Sequence, residues 1–293
     1  MLNYRKYLNN NEFDKKWDFY INTVGSASVR ANKDYPNNRA HPADHTLTWD
    51  KGRILNGFYI VFISRGEGVL ETARTKAFPI KAGTCFFLFP GIWHRYKPDA
   101  QRGWEEYWVG FNGSYPASLV RNGIFGPESP FVDVGLNEEL LSMFHHLIKT
   151  VSTGEPGYQQ IASGITLQML GLINAASKYR PTAVDNESRM ISKAKFILQE
   201  SVDNPINLEE MVKELPMGYS KFRKLFKDVC GISPNQYHLN LRLDKAKDLL
   251  TTTNLTINEI ADQTGFDSIF YFSRLFKKKN GLAPKIYRDK YLN

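Results

Sequence analysis

GFDSIFYFSRLFKKKNGLAPKIYR, residues Gly265–Arg288, decides how this chain is read. It opens on the end of a short predicted helix. Thr256 is placed as that helix's N-cap, and Glu259 three residues later completes a capping box. Ile257, Ile260 and Ala261 then face inward, and Thr264-Gly265-Phe266 ends the helix and turns the chain. A second helix carries Ile269, Phe270, Phe272, Arg274, Leu275, Phe276 and Lys277 and runs to Lys279. Gly281 and Pro284 stop it. The outline is two short helices about a tight Gly turn, the second one rich in cations.

The same outline occurs upstream. Phe222, Leu225, Phe226, Lys227, Gly231, Pro234 and Tyr237 return as Phe272, Leu275, Phe276, Lys277, Gly281, Pro284 and Tyr287, every pair at one offset of 50. The first helices repeat at an offset of 49, with Asn207 matching Thr256 as cap and Glu210 matching Glu259. A duplicated helix-turn-helix accounts for both copies. Ser233-Pro234 caps and opens a longer helix between them, Gln236 is expected to close its capping box, and Leu239, Leu243, Ala246 and Leu250 form its buried stripe.

Two unequal helix-turn-helix units on one long helix resemble the DNA-binding domain of the AraC/XylS family of bacterial transcription regulators. Gly265–Arg288 is very close to that family's signature, and the resemblance extends over Ser188–Tyr291. It implies a sequence-specific DNA-binding regulator, expected to be an activator. Double-stranded DNA is the first partner it implies, RNA polymerase a further one. In the first unit the family's base-contacting positions fall on Ser220, Lys221, Arg223 and Lys224. In the second they fall on Ile269, Phe270 and Arg274. Neither Ile269 nor Phe270 makes hydrogen bonds, so they either touch a thymine methyl or leave the second unit holding phosphates; specificity is expected to rest more on the first unit. Lys277, Lys278 and Lys279 are assigned to the phosphate backbone. The first unit departs from the family pattern at Val212, Pro216 and Gly218, where a small Ala, a turn Gly and a cap Ser are usual.

Composition agrees with this outline. The chain has 293 residues and a formal net charge of +8. Residues 187–293 hold 18 Lys/Arg against 13 Asp/Glu, a density that suits a phosphate partner. Cys85 and Cys230 lie far apart, so no disulfide framework is expected and a reducing cytoplasm fits. No apolar run approaches membrane-spanning length, and the polar Met1–Asn11 does not read as a signal peptide. Two domains are expected: 1–180 for sensing and dimerisation, and 187–293 for DNA binding, with a linker over Tyr179–Asn186.

The first domain alternates and then changes period. Phe58–Ile63 is a strand, Ser64–Gly68 ("SRGEG") a turn, and Phe78–Ile80, Cys85–Phe89 and Trp104–Phe111 are further strands. Trp17 and Tyr20 are expected to pack on these downstream strands. Short strands at this spacing indicate a small β-barrel or jelly roll. After Asp133 come two amphipathic stripes: Leu136, Leu140, Met143, Phe144, Leu147, Ile148 and Val151, then Ile161, Ile165, Gln168, Met169, Leu172, Ile173 and Ala176. They form a helical hairpin. The fold class is therefore α+β and multidomain: a cupin-like β-barrel plus helical hairpin, followed by the all-α double helix-turn-helix.

Gly57–Gly68, Leu88–Tyr96 and Trp108–Phe111 are similar to the cupin-like sensor of arabinose-responsive family members, and His41–Leu55 to the approach to that barrel. The similarity implies a small-molecule effector, expected to be a sugar, and a homodimer made through the hairpin. Sugar binding needs aromatic faces and a few polar groups. Trp93, His94, Tyr96 and Trp108 offer the faces; Arg53, Glu105 and Glu106 offer the polar groups. Tyr96 and Trp108 match pocket positions by resemblance, whereas Lys51 fits an ungapped alignment better than Arg53. No metal or cofactor is expected: His94 occupies a late metal-ligand position, but the early strand offers no His-x-His. The alternatives are a cupin-type enzyme and a regulator sensing a non-sugar ligand.

Overall fold

A computed structural model describes residues 3–33, 35, 45–178, 186–203, 205–213 and 215–291. Residues 41–44 of the expected barrel approach and 179–185 of the expected linker lie outside the described residues. The chain divides into two compact units, Met1–Arg180 and Pro181–Asn293. The first is an antiparallel sheet domain and the second is all-α, so the whole is an α+β, two-domain architecture.

The sheet is organised by one long strand, β3 (Phe58–Thr72). Its first half lies between β5 (Thr84–Leu88) and β7 (Trp104–Asn112). Its second half pairs with β4 (Phe78–Lys81) and β6 (His94–Pro98). β7 pairs in turn with β2 (Tyr20–Val29), and β2 with β1 (Tyr4–Tyr7), while β8 (Phe131–Asp133) closes onto β5. The turn expected at Ser64–Gly68 is therefore absent. β3 bends there, with a register shift between Ile63 and Arg65, and continues. Gly66 makes the bend possible: its φ is +80°, and a Cβ on it would stand 2.1 Å from the Gly103 carbonyl oxygen.

β1 and β2 lie upstream of the expected first strand. Their approach corrects a second expectation, because Trp17 does not pack inward and is 54% exposed. It ends the short helix α1 (Glu12–Lys16), and Asp18 at φ +62° then turns the chain so that Phe19 enters the core instead. A helix α2 (Ser114–Arg121), also unexpected, comes after β7.

The hairpin is present as α3 (Glu138–Thr153) and α4 (Tyr158–Lys178), with Asn137 capping α3 and Gly154 ending it in the left-handed region. The α3 stripe is buried as expected through Leu140, Met143, Phe144, Leu147 and Val151. The face of α4 is rotated. Its buried line is Gln159, Ala162, Ser163, Ile165, Thr166, Met169, Leu170 and Ile173; the expected Ile165, Met169 and Ile173 are in it, while Ile161 and Gln168 are exposed. Hydrogen bonding explains the rotation. The Gln159 carboxamide accepts from Ile21 N (3.2 Å) and donates to Ile21 O (3.1 Å), and Ser163 Oγ donates to Phe19 O (2.6 Å). These polar side chains satisfy backbone at the start of β2, so they take the inward face.

The second unit holds two separate cores. α5 (Asn186–Glu200), α6 (Leu208–Lys213) and α7 (Tyr219–Cys230) close around Phe222 and Phe226. α9 (Ile257–Gln263), α10 (Ile269–Asn280) and α11 (Pro284–Tyr291) close around Phe272 and Phe276, together with the C-terminal part of α8 (Pro234–Thr252). The capping box of α9 is complete: Thr256 accepts from Glu259 N and Glu259 accepts from Thr256 N. The box at α8 is half made. Ser233 accepts from Gln236 N, but the Gln236 amide donates forward to Asn240 (3.1 Å).

Candidate DNA-binding and effector sites

Strand register assembles a cavity on the inner face of the sheet. Residues opposite one another share a face, and the face alternates along each strand. One row runs Tyr7, Thr23, Gly110, Tyr59 and Leu88 across five strands; the next runs Arg5, Gly25, Trp108, Val61 and Phe86. Ala27, Glu106 and Ile63 form a third. Glycines sit where a neighbour needs space: a Cβ on Gly25 would meet Trp108 Cζ2 at 2.1 Å, and one on Gly110 would meet Tyr59 Cε1 at 2.6 Å. The resulting cavity has a volume of about 840 Å³. Its walls include Arg5, Tyr35, Arg53, Tyr96, Glu106 and Trp108.

Arg53 is fixed in this wall by three donations: Nε to His94 Nε2 (3.2 Å), one terminal nitrogen to His45 O (2.7 Å) and the other to Tyr96 Oη (2.7 Å). Burial, reinforced by the neighbouring guanidinium, holds the His94 pKa down at about 3. The ring is therefore neutral, accepting from Arg53 on one nitrogen and donating to Ile92 O (3.1 Å) from the other. Glu106 receives the Tyr35 hydroxyl at 3.2 Å. Burial raises its pKa to about 7, against the lowering effects of Tyr35 and Arg53. Thr23 also lines the cavity, while its hydroxyl oxygen is buried without a hydrogen-bond partner among the described residues.

In the second unit α7 and α10 occupy equivalent places in the repeat. Each has twelve residues and ends on a left-handed glycine, Gly231 at φ +73° and Gly281 at φ +78°. Each buries two Phe, which turns the remaining faces outward. On α7 Ser220, Lys221, Arg223 and Lys224 are exposed, with Lys221 paired to Glu187 at 3.0 Å. On α10 Phe270, Arg274, Lys277 and Lys278 are exposed, whereas Ile269 is half-buried. Lys279 departs from expectation. It donates to Asn240 O (3.2 Å) and pairs with Asp244 (3.0 Å), so it ties α10 to α8. Arg242 holds the turn between α9 and α10 from α8 by donating to the carbonyls of Thr264 (2.7 Å) and Gly265.

Residues 41–170 match the model of an AraC-like ligand binding domain, and residues 211–290 match that of a helix-turn-helix domain. The arabinose operon regulatory protein of Escherichia coli K12 is 26% identical over 246 residues, spanning 80% of this chain and 81% of that protein. The chain belongs to the AraC family of transcription regulators. The raffinose operon transcriptional regulatory protein RafR of Pediococcus pentosaceus is 24% identical over 245 residues, 82% of this chain and 88% of that one. Among solved structures, the C-terminal domain of AraT, a response regulator from Geobacillus stearothermophilus, is 30% identical and covers 36% of this chain and 87% of its own, with a TM-score of 0.35. These relatives of the AraC-family chain are regulators, not enzymes.

Within this AraC-family regulator the seven expected effector residues divide. Arg53, Tyr96, Glu106 and Trp108 line the cavity, and Glu105 lines it beside Arg65 at 4.0 Å. Trp93 does not: its indole N–H donates to Lys51 O (2.8 Å) outside the cavity. His94 is absent from the cavity wall and acts only through Arg53. Between Lys51 and Arg53, it is Arg53 that reaches inside; Lys51 is exposed. Sequence reasoning missed Arg5, Tyr7, Thr23, Tyr35, His45 and Tyr59, all in the wall. The usable signal was the alternation Trp104, Glu106, Trp108, Gly110, which names one face of β7 and implies facing residues on β2 and β3. Among the described residues no helix is long and apolar enough to cross a membrane. Nor, among them, do three or more His, Cys, Asp or Glu gather to share a metal ion.

Proposed function

We propose that this AraC-family protein is a sugar-responsive transcription activator that works in the cytoplasm as a homodimer. The cavity carries the sugar reading. It combines aromatic faces at Tyr35, Tyr59 and Trp108 with hydrogen-bonding groups at Arg53 and Glu106. A sugar presents apolar C–H faces and a rim of hydroxyls, which such walls complement. The relatives, regulators of arabinose and raffinose operons, favour the same class.

Ser220, Lys221, Arg223 and Lys224 on α7, with Phe270 and Arg274 on α10, are the residues proposed to reach base edges. Lys277 and Lys278 hold phosphates. Ile269 is half-buried and contributes less than the resemblance implies. Dimerisation is proposed through the hairpin, where α4 leaves Ile161 51% exposed and Leu167 37% exposed. RNA polymerase is the partner an activator recruits. Bound sugar changes DNA affinity only to the extent that it binds the DNA-competent arrangement more tightly than the other.

Calorimetric titration with pentoses, hexoses and oligosaccharides tests the reading, paired with operator-binding measurements. A sugar that binds the wild type, binds Trp108→Ala roughly tenfold or more weakly and shifts operator affinity is expected. Operator affinity that no sugar alters would contradict it.

A further inference from the structure

Phe270 is 84% exposed, more than any other large hydrophobic side chain among the described residues. It is the second residue of α10, while Phe272 and Phe276 on the same helix are fully buried in the core. Arg274, Lys277 and Lys278 lie four, seven and eight residues further on, so they share its face of the helix. The repeat places Ser220 at the equivalent point of α7, with Lys224 and Lys227 beyond it. One copy of the module thus presents a hydroxyl and the other a phenyl ring, each backed by cations.

We propose that Phe270 reads a thymine methyl, so that the operator requires a T·A pair at one fixed position facing α10. The inference rests on the reading that α10 enters the major groove. It adds a specific apolar contact to that reading. Phe270 offers no hydrogen-bond donor or acceptor. Among the base-pair edges of the major groove, only thymine carries an apolar group, its C5 methyl. The cations behind the ring suit phosphates on either side of that base and disfavour an apolar protein partner. Hydrogen-bonded readout falls to Ser220, Lys221, Arg223 and Lys224 on α7 and to Arg274, and α10 supplies one apolar reading beside them.

The experiment uses the full chain and a site selected from random duplex DNA. Selected sites are expected to hold an invariant thymine in the half that faces α10. Replacing that one base by deoxyuridine removes only the methyl and should weaken binding about fourfold, the worth of one buried methyl-sized group. Phe270→Ala should bind the thymine and uracil duplexes equally. Its unfolding curve should match the wild type, since the ring is in solvent. Equal affinity of the wild type for the two duplexes overturns the proposal, as does a thymine preference that persists in Phe270→Ala. Either result leaves DNA binding by α10 standing. Loss of specific binding in an Arg274→Ala control shows separately that α10 meets DNA; unchanged binding there removes the underlying reading and the methyl contact together.

Discussion

Glu106 shows how one buried residue sets a measurable property of the sensor unit. It is 5% exposed and its pKa is raised to about 7. An acid whose folded pKa lies above its unfolded value keeps its proton longer when folded. The stability this contributes is complete below about 4.5 and is lost as pH rises through about 7. Denaturant unfolding of the first unit should therefore show stability falling by up to about 3 kcal/mol between pH 5 and pH 8. Glu106→Gln, which cannot ionise, should remove most of that slope. A variant with the wild-type slope would place the titration elsewhere.

At the scale of elements, β3 is the member on which the first unit depends, and Gly66 is its hinge. Gly66→Ala should cost roughly 2 kcal/mol or more, because the new methyl meets the Gly103 carbonyl and the φ of +80° disfavours a side chain. Thermal unfolding would check this; a variant as stable as the wild type would mean that the bend relaxes freely. Thr256→Ala should cost about 1 kcal/mol by opening the capping box of α9. The contrast between these elements explains what the sequence disclosed. The second unit was legible because its signals are local: caps, left-handed glycines and a phenylalanine spacing that occurs twice. β1 and β2 were hidden because Tyr4–Tyr7 mixes aromatic with basic residues and because Gly25 interrupts the apolar pattern of β2. The glycine is there for the Trp108 indole, a non-local reason. The true face of α4 was hidden for a similar cause. Gln159 and Ser163 look like solvent-facing residues until the β2 backbone they serve is in place. Trp108 was marked by resemblance and strand register turns it inward, whereas Trp93 precedes β6 and its place outside follows only from the Lys51 carbonyl that its indole meets.

At the scale of the whole molecule, two modules with unlike chemistry share one chain: a polar-and-aromatic cavity and a pair of cationic helix-turn-helix units. Exposed Lys277 and Lys278 are proposed to meet phosphates, so Lys277→Ala should lower the slope of log affinity against log salt by about one while leaving the preferred sequence intact. A changed sequence preference would instead assign Lys277 to a base. Both copies of the repeat are proposed to engage one duplex. Hydroxyl-radical footprinting of a selected operator, at single-nucleotide resolution, tests it most directly. Two protected segments about ten base pairs apart on one face of the duplex, for each bound chain, are the predicted result. Protection of a single segment, unchanged when Arg274 on α10 is replaced by Ala, would contradict it.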